Sequence, residues 1–193
     1  MPDLRISAVL VIAALLAPFA MAQSATPPPG KPMDTLLVYG EGFLFSMKEP
    51  QGWRCICDET AGKYQVNAII FPSSNQSRAH HVAIRVRVNE KTDENTIEDL
   101  KADMQDYKRN YPKVQFVDLA VANPEYKTYT KLFQFPGDFY DYVAYVNPGP
   151  QARFMLSVSM TKEKTPATPD ELAAYAKVVQ SLHVFTEDAP HPR

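Results

Sequence analysis

The sequence predicts an α+β fold, in which a largely antiparallel β-sheet is covered by helices. Several segments after residue 35 alternate apolar and polar residues with period two, which is typical of strands. Two further segments have apolar residues spaced three and four apart, which is typical of amphipathic helices. The strands follow one another in runs and do not alternate strictly with helices, which favours antiparallel pairing.

Both ends of the chain are expected to lie outside the fold. Residues 1–22 contain a short apolar run and end in an AxA cleavage pattern, as a secretory signal peptide does. Residues 23–34 are rich in proline and predict an extended linker. We expect a single domain at residues 35–186 and a disordered tail at residues 187–193. Cleavage of the signal peptide would leave no membrane span and an exported protein, periplasmic or extracellular.

Two early strands are predicted on either side of a turn. Apolar residues alternate from Phe43 to Met47, and residues 49–52 (EPQG) have the composition of a chain reversal. Side chains two residues apart share one face of a strand. The residues that share a face of the second strand are Trp53, Cys55 and Cys57.

Residues 65–71 and 81–88 predict the next two strands. In the second of these strands, valine and isoleucine occupy every other position from Val82 to Val88. This row is expected to face the core, and the alternate row is expected to face solvent. The alternate row contains His81, Ala83, Arg85 and Arg87.

The most regular helical pattern runs from Ile97 to Tyr111 and stops before Pro112. Asn95 is a suitable N-cap, and two basic residues in the last turn oppose the helix dipole. The apolar stripe of this helix comprises Ile97, Leu100, Met104, Tyr107 and Tyr111.

The rest of the chain predicts four strands in a meander over residues 114–160, followed by a helix. Thr168, Pro169 and Glu171 have the pattern of a capping box with proline in the first turn. The expected buried stripe of this helix comprises Leu172, Tyr175, Ala176, Val179 and Leu182. A short apolar segment from His183 to Phe185 ends the predicted fold.

Several of these features together resemble the PsbP-like superfamily. They are Gly42-Phe43-x-Phe45, a following proline, Gly52-Trp53 at the start of a strand, a central amphipathic helix, a meander, and a closing helix that ends in Ser181-Leu182. The resemblance implies an α/β/α sandwich, with an antiparallel sheet between helices. It also implies a family whose members mostly act as binding or assembly modules without a shared catalytic site. The two cysteines are not part of the pattern, so no family function carries over to them.

Charge and motif content exclude several classes of function. With 20 basic and 22 acidic side chains, the net charge is -2, which lacks the basic footprint of a nucleic-acid-binding protein. The chain contains no GxSxG, HExxH or phosphate-binding glycine loop. We therefore expect a protein that is not an enzyme, and the sequence identifies no cofactor.

Cys55 and Cys57 leave three interpretations open. An exported protein meets oxidising conditions, but strand neighbours hold their β-carbons roughly 6–7 Å apart, against about 3.8 Å in a relaxed disulfide. A disulfide would therefore need a distorted backbone. The two thiols could instead pack as small hydrophobes beside Trp53. With His81, they could also form a soft nitrogen and sulfur site for copper or zinc.

Two surfaces are candidates for ligand binding. Arg85 and Arg87 could receive an acidic partner or an anion, although such alternation is usually the plain solvent face of a sheet. Tyr140 and Tyr142 share the strand face opposite Phe139 and could line a groove for a peptide or another apolar ligand. Packing in the core and at the sheet edge is the alternative for these tyrosines.

The functional expectation is an exported, non-enzymatic binding or assembly module of the cell envelope. Its partner would be an envelope protein or a small ligand. The alternative is a thiol-based metal-handling or redox protein that uses Cys55, Cys57 and a histidine.

Overall fold

The computed structural model describes residues 35–73, 82–91 and 96–186. Within these ranges the strands are β1 (Thr35–Gly40), β2 (Phe43–Lys48), β3 (Trp53–Ile56), β4 (Ala68–Pro72), β5 (Ile84–Glu90), β6 (Gln115–Asp118), β7 (Lys127–Phe135), β8 (Phe139–Asn147), β9 (Phe154–Glu163) and β10 (His183–Val184). The helices are α1 (Glu59–Gly62), α2 (Thr96–Asn110) and α3 (Pro169–Ser181). The predicted signal peptide, linker and tail lie outside the described residues, as do Asn95 and His81.

The strands form two antiparallel sheets. The larger sheet has seven strands in the order β3-β4-β5-β9-β8-β7-β6, and the smaller has the order β1-β2-β10. The predicted meander is confirmed, because β6, β7, β8 and β9 are neighbours in the larger sheet and every one of these pairs is antiparallel. The α+β fold class is therefore confirmed. Each helix of the described ranges is too short or too polar to cross a membrane.

The larger sheet is covered on both faces. On one face, α3 and the smaller sheet bury an apolar layer that includes Phe45, Leu156, Val158 and Tyr175. On the other face, α2 packs against β7, β8 and β9 and buries a second layer. The second layer comprises Leu100, Val114, Phe133, Val143, Tyr145 and Met155. This arrangement is the α/β/α layering that the family resemblance implies.

The chain reversal predicted at residues 49–52 is present, but the strands on either side of it do not pair with each other. The chain does reverse there, since Gly52 has φ +78° and the Trp53 amide donates to the Pro50 carbonyl at 3.0 Å. However, β2 pairs with β1 and β10, whereas β3 pairs with β4. The turn therefore passes the chain from the smaller sheet to the larger one.

The face of β5 that carries the arginines is only partly exposed. Ala83 is buried with Ala61, Val66 and Ile69 beneath α1, a helix too short to leave a periodic signal in the sequence. The Arg87 Nε donates to the carbonyl of Gln65 at 2.9 Å. The predicted solvent face is thus covered at one end by α1, while Val82, Ile84 and Val86 face the core as expected.

The helix α3 begins as predicted and buries a different set of residues. The Thr168 side chain accepts from the Glu171 amide, and the Glu171 carboxylate accepts from the Thr168 amide. Of the predicted stripe, Tyr175, Val179 and Leu182 are buried, whereas Leu172 and Ala176 are half-buried. Because the larger and smaller sheets both contact α3, its buried face is shifted; within the helix it comprises Ala174, Tyr175, Val178 and Val179.

A buried asparagine attaches the end of α3 to the loop before β7. The Asn123 Nδ2 donates to the carbonyls of Val179 and Leu182 at 2.9 and 2.8 Å. Its Oδ1 accepts from the amides of Glu125 and Tyr126. One side chain of 5% exposure therefore satisfies four backbone groups.

We expect Asn123→Ala to lower the free energy of unfolding by at least about 2 kcal/mol, because it leaves buried backbone donors and acceptors without partners. Urea unfolding followed by circular dichroism measures the change. The exposed Asn110 at the end of α2 provides the control, and Asn110→Ala should change stability by less than about 0.5 kcal/mol. Equal effects of the two substitutions would contradict the role assigned to Asn123.

Candidate functional site

A groove of about 660 Å³ lies between α2 and the ends of β8 and β9. It is on the face of the larger sheet that α2 covers, and the turn between β7 and β8 closes one end. The lining combines acidic and aromatic side chains. The residues that line the groove are Asp103, Asp106, Tyr107, Asn110, Tyr111, Gly137, Asp138, Phe139, Asp141, Thr161, Glu163 and Lys164.

Asp141 lies at the base of the groove and is 7% exposed. The hydroxyl of Tyr107 on α2 donates to its Oδ2, and the hydroxyl of Thr161 donates to its Oδ1 at 2.9 Å. Burial raises the pKa of Asp141, and these two hydrogen bonds act in the opposite direction. Both carboxylate oxygens thus have donors, as a buried carboxylate requires.

Asp103 on α2 also accepts a hydrogen bond from a tyrosine, but here the carboxylate is on the helix and the tyrosine is on the strand. The hydroxyl of Tyr145 on β8 donates to its Oδ2. Burial raises the pKa of Asp103 to about 6, and three nearby carboxylates, those of Asp106, Asp141 and Asp99, add to the shift. Arg87 opposes it. A helix carboxylate therefore meets a strand tyrosine, while a helix tyrosine meets a strand carboxylate.

Aromatic rings form the apolar side of the groove. Tyr111 and Phe139 are in edge-to-face contact, with ring centroids 4.9 Å apart. Tyr107 makes the same type of contact with Phe133 below it, at 4.7 Å, and with Phe139 at 5.9 Å. Tyr111 is 39% exposed, so part of this aromatic surface is accessible to a ligand.

The rim of the groove carries charges that the fold does not use. Within the part of the chain that the structure describes, the side chains of Asp138, Glu163 and Lys164 make no hydrogen bond and no ion pair. In contrast, Asp106 forms an ion pair with Arg109 of the same helix, with 3.1 Å between Oδ1 and the guanidinium nitrogen. Two rim carboxylates and one rim ammonium group are therefore available to a ligand.

Of the two interpretations of Tyr142, its position fits packing in the core, and it does not line the groove. Tyr142 is 3% exposed, packs near Tyr175 under α3, and accepts a hydrogen bond from the Ala167 amide at 3.0 Å. Tyr140 is partly buried against the same core. The groove is on the opposite face of β8, the face of Phe139, because α2 leaves that end of the sheet uncovered.

Arg85 and Arg87 lie on the same face of the sheet as the groove but do not line it. Their guanidinium groups lower the pKa values of Asp141 and Asp103, respectively, against the larger effect of burial. Both guanidinium groups thus interact electrostatically with carboxylates of this chain. A ligand-binding role for Arg85, Arg87 and Tyr140 stays a prediction.

Cys55 and Cys57 are both free thiols, at the end of the edge strand β3. Cys55 is partly buried and contacts the core, whereas Cys57 is exposed, so the packing interpretation applies to Cys55 alone. Burial, followed by the nearby Cys57 and Glu49, raises the pKa of Cys55, which keeps it a protonated thiol.

The predicted metal site is only partly within the described residues. His81 lies outside them, and the described residues contain no group of three or more histidine, cysteine, aspartate or glutamate side chains positioned to hold a metal ion. A metal site formed by Cys55, Cys57 and His81 stays a prediction.

The acidic groove was missed in the sequence, although a signal for it exists. Asp141 occupies the row of Phe139 and Val143, which is otherwise apolar, and Asp103 lies between Leu100 and Tyr107 in the apolar stripe of α2. A carboxylate in an apolar row is unusual unless it has hydrogen-bond partners. A carboxylate at a position where the pattern predicts an apolar residue is therefore the sequence signal that identifies Asp141 and Asp103.

Among solved structures, the fold is similar to the solution structure of cyanobacterial PsbP (CyanoP) from Synechocystis sp. PCC 6803. The TM-score is 0.46 and the sequence identity is 13%; the match covers 82% of this chain and 96% of the cyanobacterial chain. No family model and no curated protein match the sequence.

We expect Asp103→Asn to change how stability depends on pH. The pKa of Asp103 is about 6 in the folded chain against 3.8 ordinarily, so the folded state holds this proton more tightly. The resulting stabilisation is full below about pH 4 and is lost as the pH rises through about 6. The asparagine variant has no such proton. Its free energy of unfolding should therefore rise relative to the wild type between about pH 3 and about pH 7.5, which lie on the two plateaus.

Urea unfolding of both proteins across this pH range measures the difference. Glu41→Gln, a change at an exposed residue in the turn between β1 and β2, is the control and should give a profile parallel to the wild type. A parallel profile for Asp103→Asn as well would contradict the raised pKa of Asp103.

Proposed function

We propose that the protein is an exported, non-enzymatic binding module of the cell envelope and that its binding site is the groove between α2 and the turn from β7 to β8. The observation that carries this proposal is the groove itself. It combines a concave shape with accessible aromatic surface and with charged side chains that have no role in the fold. A few polar groups in an aromatic-lined depression are the usual composition of a ligand site.

The groove is formed before any ligand arrives. Hydrogen bonds from Tyr107 to Asp141 and from Tyr145 to Asp103 hold its two walls together. The lining ring of Phe139 is kept in place by contacts with Tyr107 and Tyr111. A preformed site loses little conformational entropy on binding, which supports recognition by this surface.

The chemistry of the lining supports binding over catalysis. The hydroxyls of Tyr107 and Thr161 and both oxygens of Asp141 are engaged in one another's hydrogen bonds. Asp138 and Glu163 are solvent-exposed carboxylates of the rim. This supports a role in which the inner residues shape the groove and the rim residues contact the ligand.

Export is the remaining part of the proposal, and it rests on the predicted signal peptide at residues 1–22. After cleavage, the proline-rich segment at residues 23–34 would separate the binding domain from the new amino terminus. The site would then be displayed in the periplasm or outside the cell, toward an envelope protein or a small ligand.

Photo-crosslinking in the native cell tests the site. We expect p-benzoylphenylalanine in place of Tyr111 to give a discrete adduct after illumination, because this side chain lies at the edge of the groove. The intact mass of the purified adduct distinguishes a small ligand from a partner protein. The same substitution of Tyr39, which is 80% exposed on β1, is the control.

An adduct at the position of Tyr111 that is absent at the position of Tyr39 would support the proposed site. No adduct at Tyr111, or the same adducts at both positions, would contradict it. Fractionation of the same cells, with sequencing of the mature amino terminus, checks export and cleavage near residue 22.

A further inference from the structure

We propose that the groove binds an alkylammonium cation, with its charge between the rim carboxylates of Asp138 and Glu163 and its alkyl groups against Tyr111 and Phe139. This inference rests on the proposed function of the groove and adds the chemical class of the ligand. Two independent properties of the lining lead to it, namely the unused negative charge on the rim and the aromatic wall beside that charge.

The balance of charge in the groove is negative. Five carboxylates line it, from Asp103, Asp106, Asp138, Asp141 and Glu163, and Lys164 is the lining residue of opposite charge. A concave surface with one predominant sign of charge concentrates ions of the other sign. An anionic ligand would be repelled, so the ligand that complements this groove is a cation.

Two of these carboxylates would contact the bound cation directly. Asp141 accepts from Tyr107 and Thr161, so both of its oxygens already have donors. Asp138 and Glu163 have no side-chain partner among the described residues, and they lie next to each other where β8 and β9 meet. A bound cation would receive charge-assisted hydrogen bonds or close ionic contacts from these two.

The aromatic wall determines which kind of cation fits. Tyr111 and Phe139 present ring surface on the same side of the groove, and the negative face of an aromatic ring attracts ammonium groups. The rings also offer apolar surface to methyl or methylene groups, which a metal ion does not have. Carboxylates beside aromatic rings therefore favour an organic ammonium group.

Lys164 gives the proposal a test by gain of affinity. Its ammonium group lines the groove without an ion pair among the described residues, and its backbone lies in the left-handed region at φ 62°. A cation in the groove must approach this like charge. Removal of the lysine charge should strengthen cation binding. A variant that fails to fold would bind more weakly, so misfolding cannot produce this result.

Titration of the mature protein at pH 8 and low salt tests the charge requirement. The probes are choline and 3,3-dimethylbutan-1-ol, a neutral molecule of nearly the same shape, and nuclear magnetic resonance shifts or calorimetry report binding. We expect saturable binding of choline and at least about 5-fold weaker binding of the neutral analogue, the factor that about 1 kcal/mol of charge interaction supplies. Equal binding of the two probes would overturn the proposal.

Matched variants test the residues. Asp138→Asn and Glu163→Gln should each weaken choline binding by about 3- to 5-fold, and Lys164→Gln should strengthen it by a similar factor. Tyr111→Leu should weaken it by about 2- to 5-fold through loss of the aromatic face. The controls are Glu41→Gln and Lys63→Gln, both exposed and outside the groove, and neither should change the affinity. Equal effects of groove and control variants would overturn the proposal.

N-α-acetyl-lysine methylamide distinguishes the two sources of such a cation. Tighter binding of this probe than of choline supports a lysine side chain on a partner protein, and the reverse order supports a free quaternary amine. Binding of calcium ions in competition with both probes would overturn the assignment to an organic cation. A Tyr111 adduct in cells without binding of either probe would overturn the cation alone and leave the proposed function in place.

Discussion

Two reciprocal hydrogen bonds between α2 and β8 are the interaction on which the groove depends. Tyr107 of the helix donates to Asp141 of the strand, and Tyr145 of the strand donates to Asp103 of the helix. Each carboxylate would be costly to bury without its donor. Because each pair has one member on each element, the Oδ2 atoms of both carboxylates have these donors only when the helix lies in this position. The helix position and the shape of the groove are therefore determined together.

The same arrangement separates the structural and the binding functions of the molecule. The face of the larger sheet under α3 is a continuous apolar layer that also includes the smaller sheet. The face under α2 is apolar near Leu100 and becomes acidic toward the groove. Burial on the first face is the main source of stability, since apolar area removed from water drives folding. The second face keeps charge that the fold does not require, at Asp138 and Glu163, which is where we place the ligand.

Much of the fold could be predicted because its signals are local. The capping box at Thr168 and the alternation from Val82 to Val88 each act within a few residues, so the sequence shows them directly. The partners of a strand are not local. The turn before Trp53 was expected to reverse the chain between two strands, and it does. These strands belong to different sheets, because the composition of a turn specifies a reversal and not the strand that pairs alongside. Tyr142 was left between a groove and the core for a similar reason, since alternation does not say which face of the strand a helix will cover.

By itself the sequence determined the α+β class, the meander and the two long helices. Only the tertiary structure decided where the groove lies and which carboxylates face it. Tyr107 and Asp141 are 34 positions apart in the chain, and Tyr145 and Asp103 are 42 apart. Periodicity describes one segment at a time, whereas these contacts exist only after α2 has packed on β8. The charge of Asp141 in an apolar row was visible in the sequence, but the tyrosine that makes its burial possible was not.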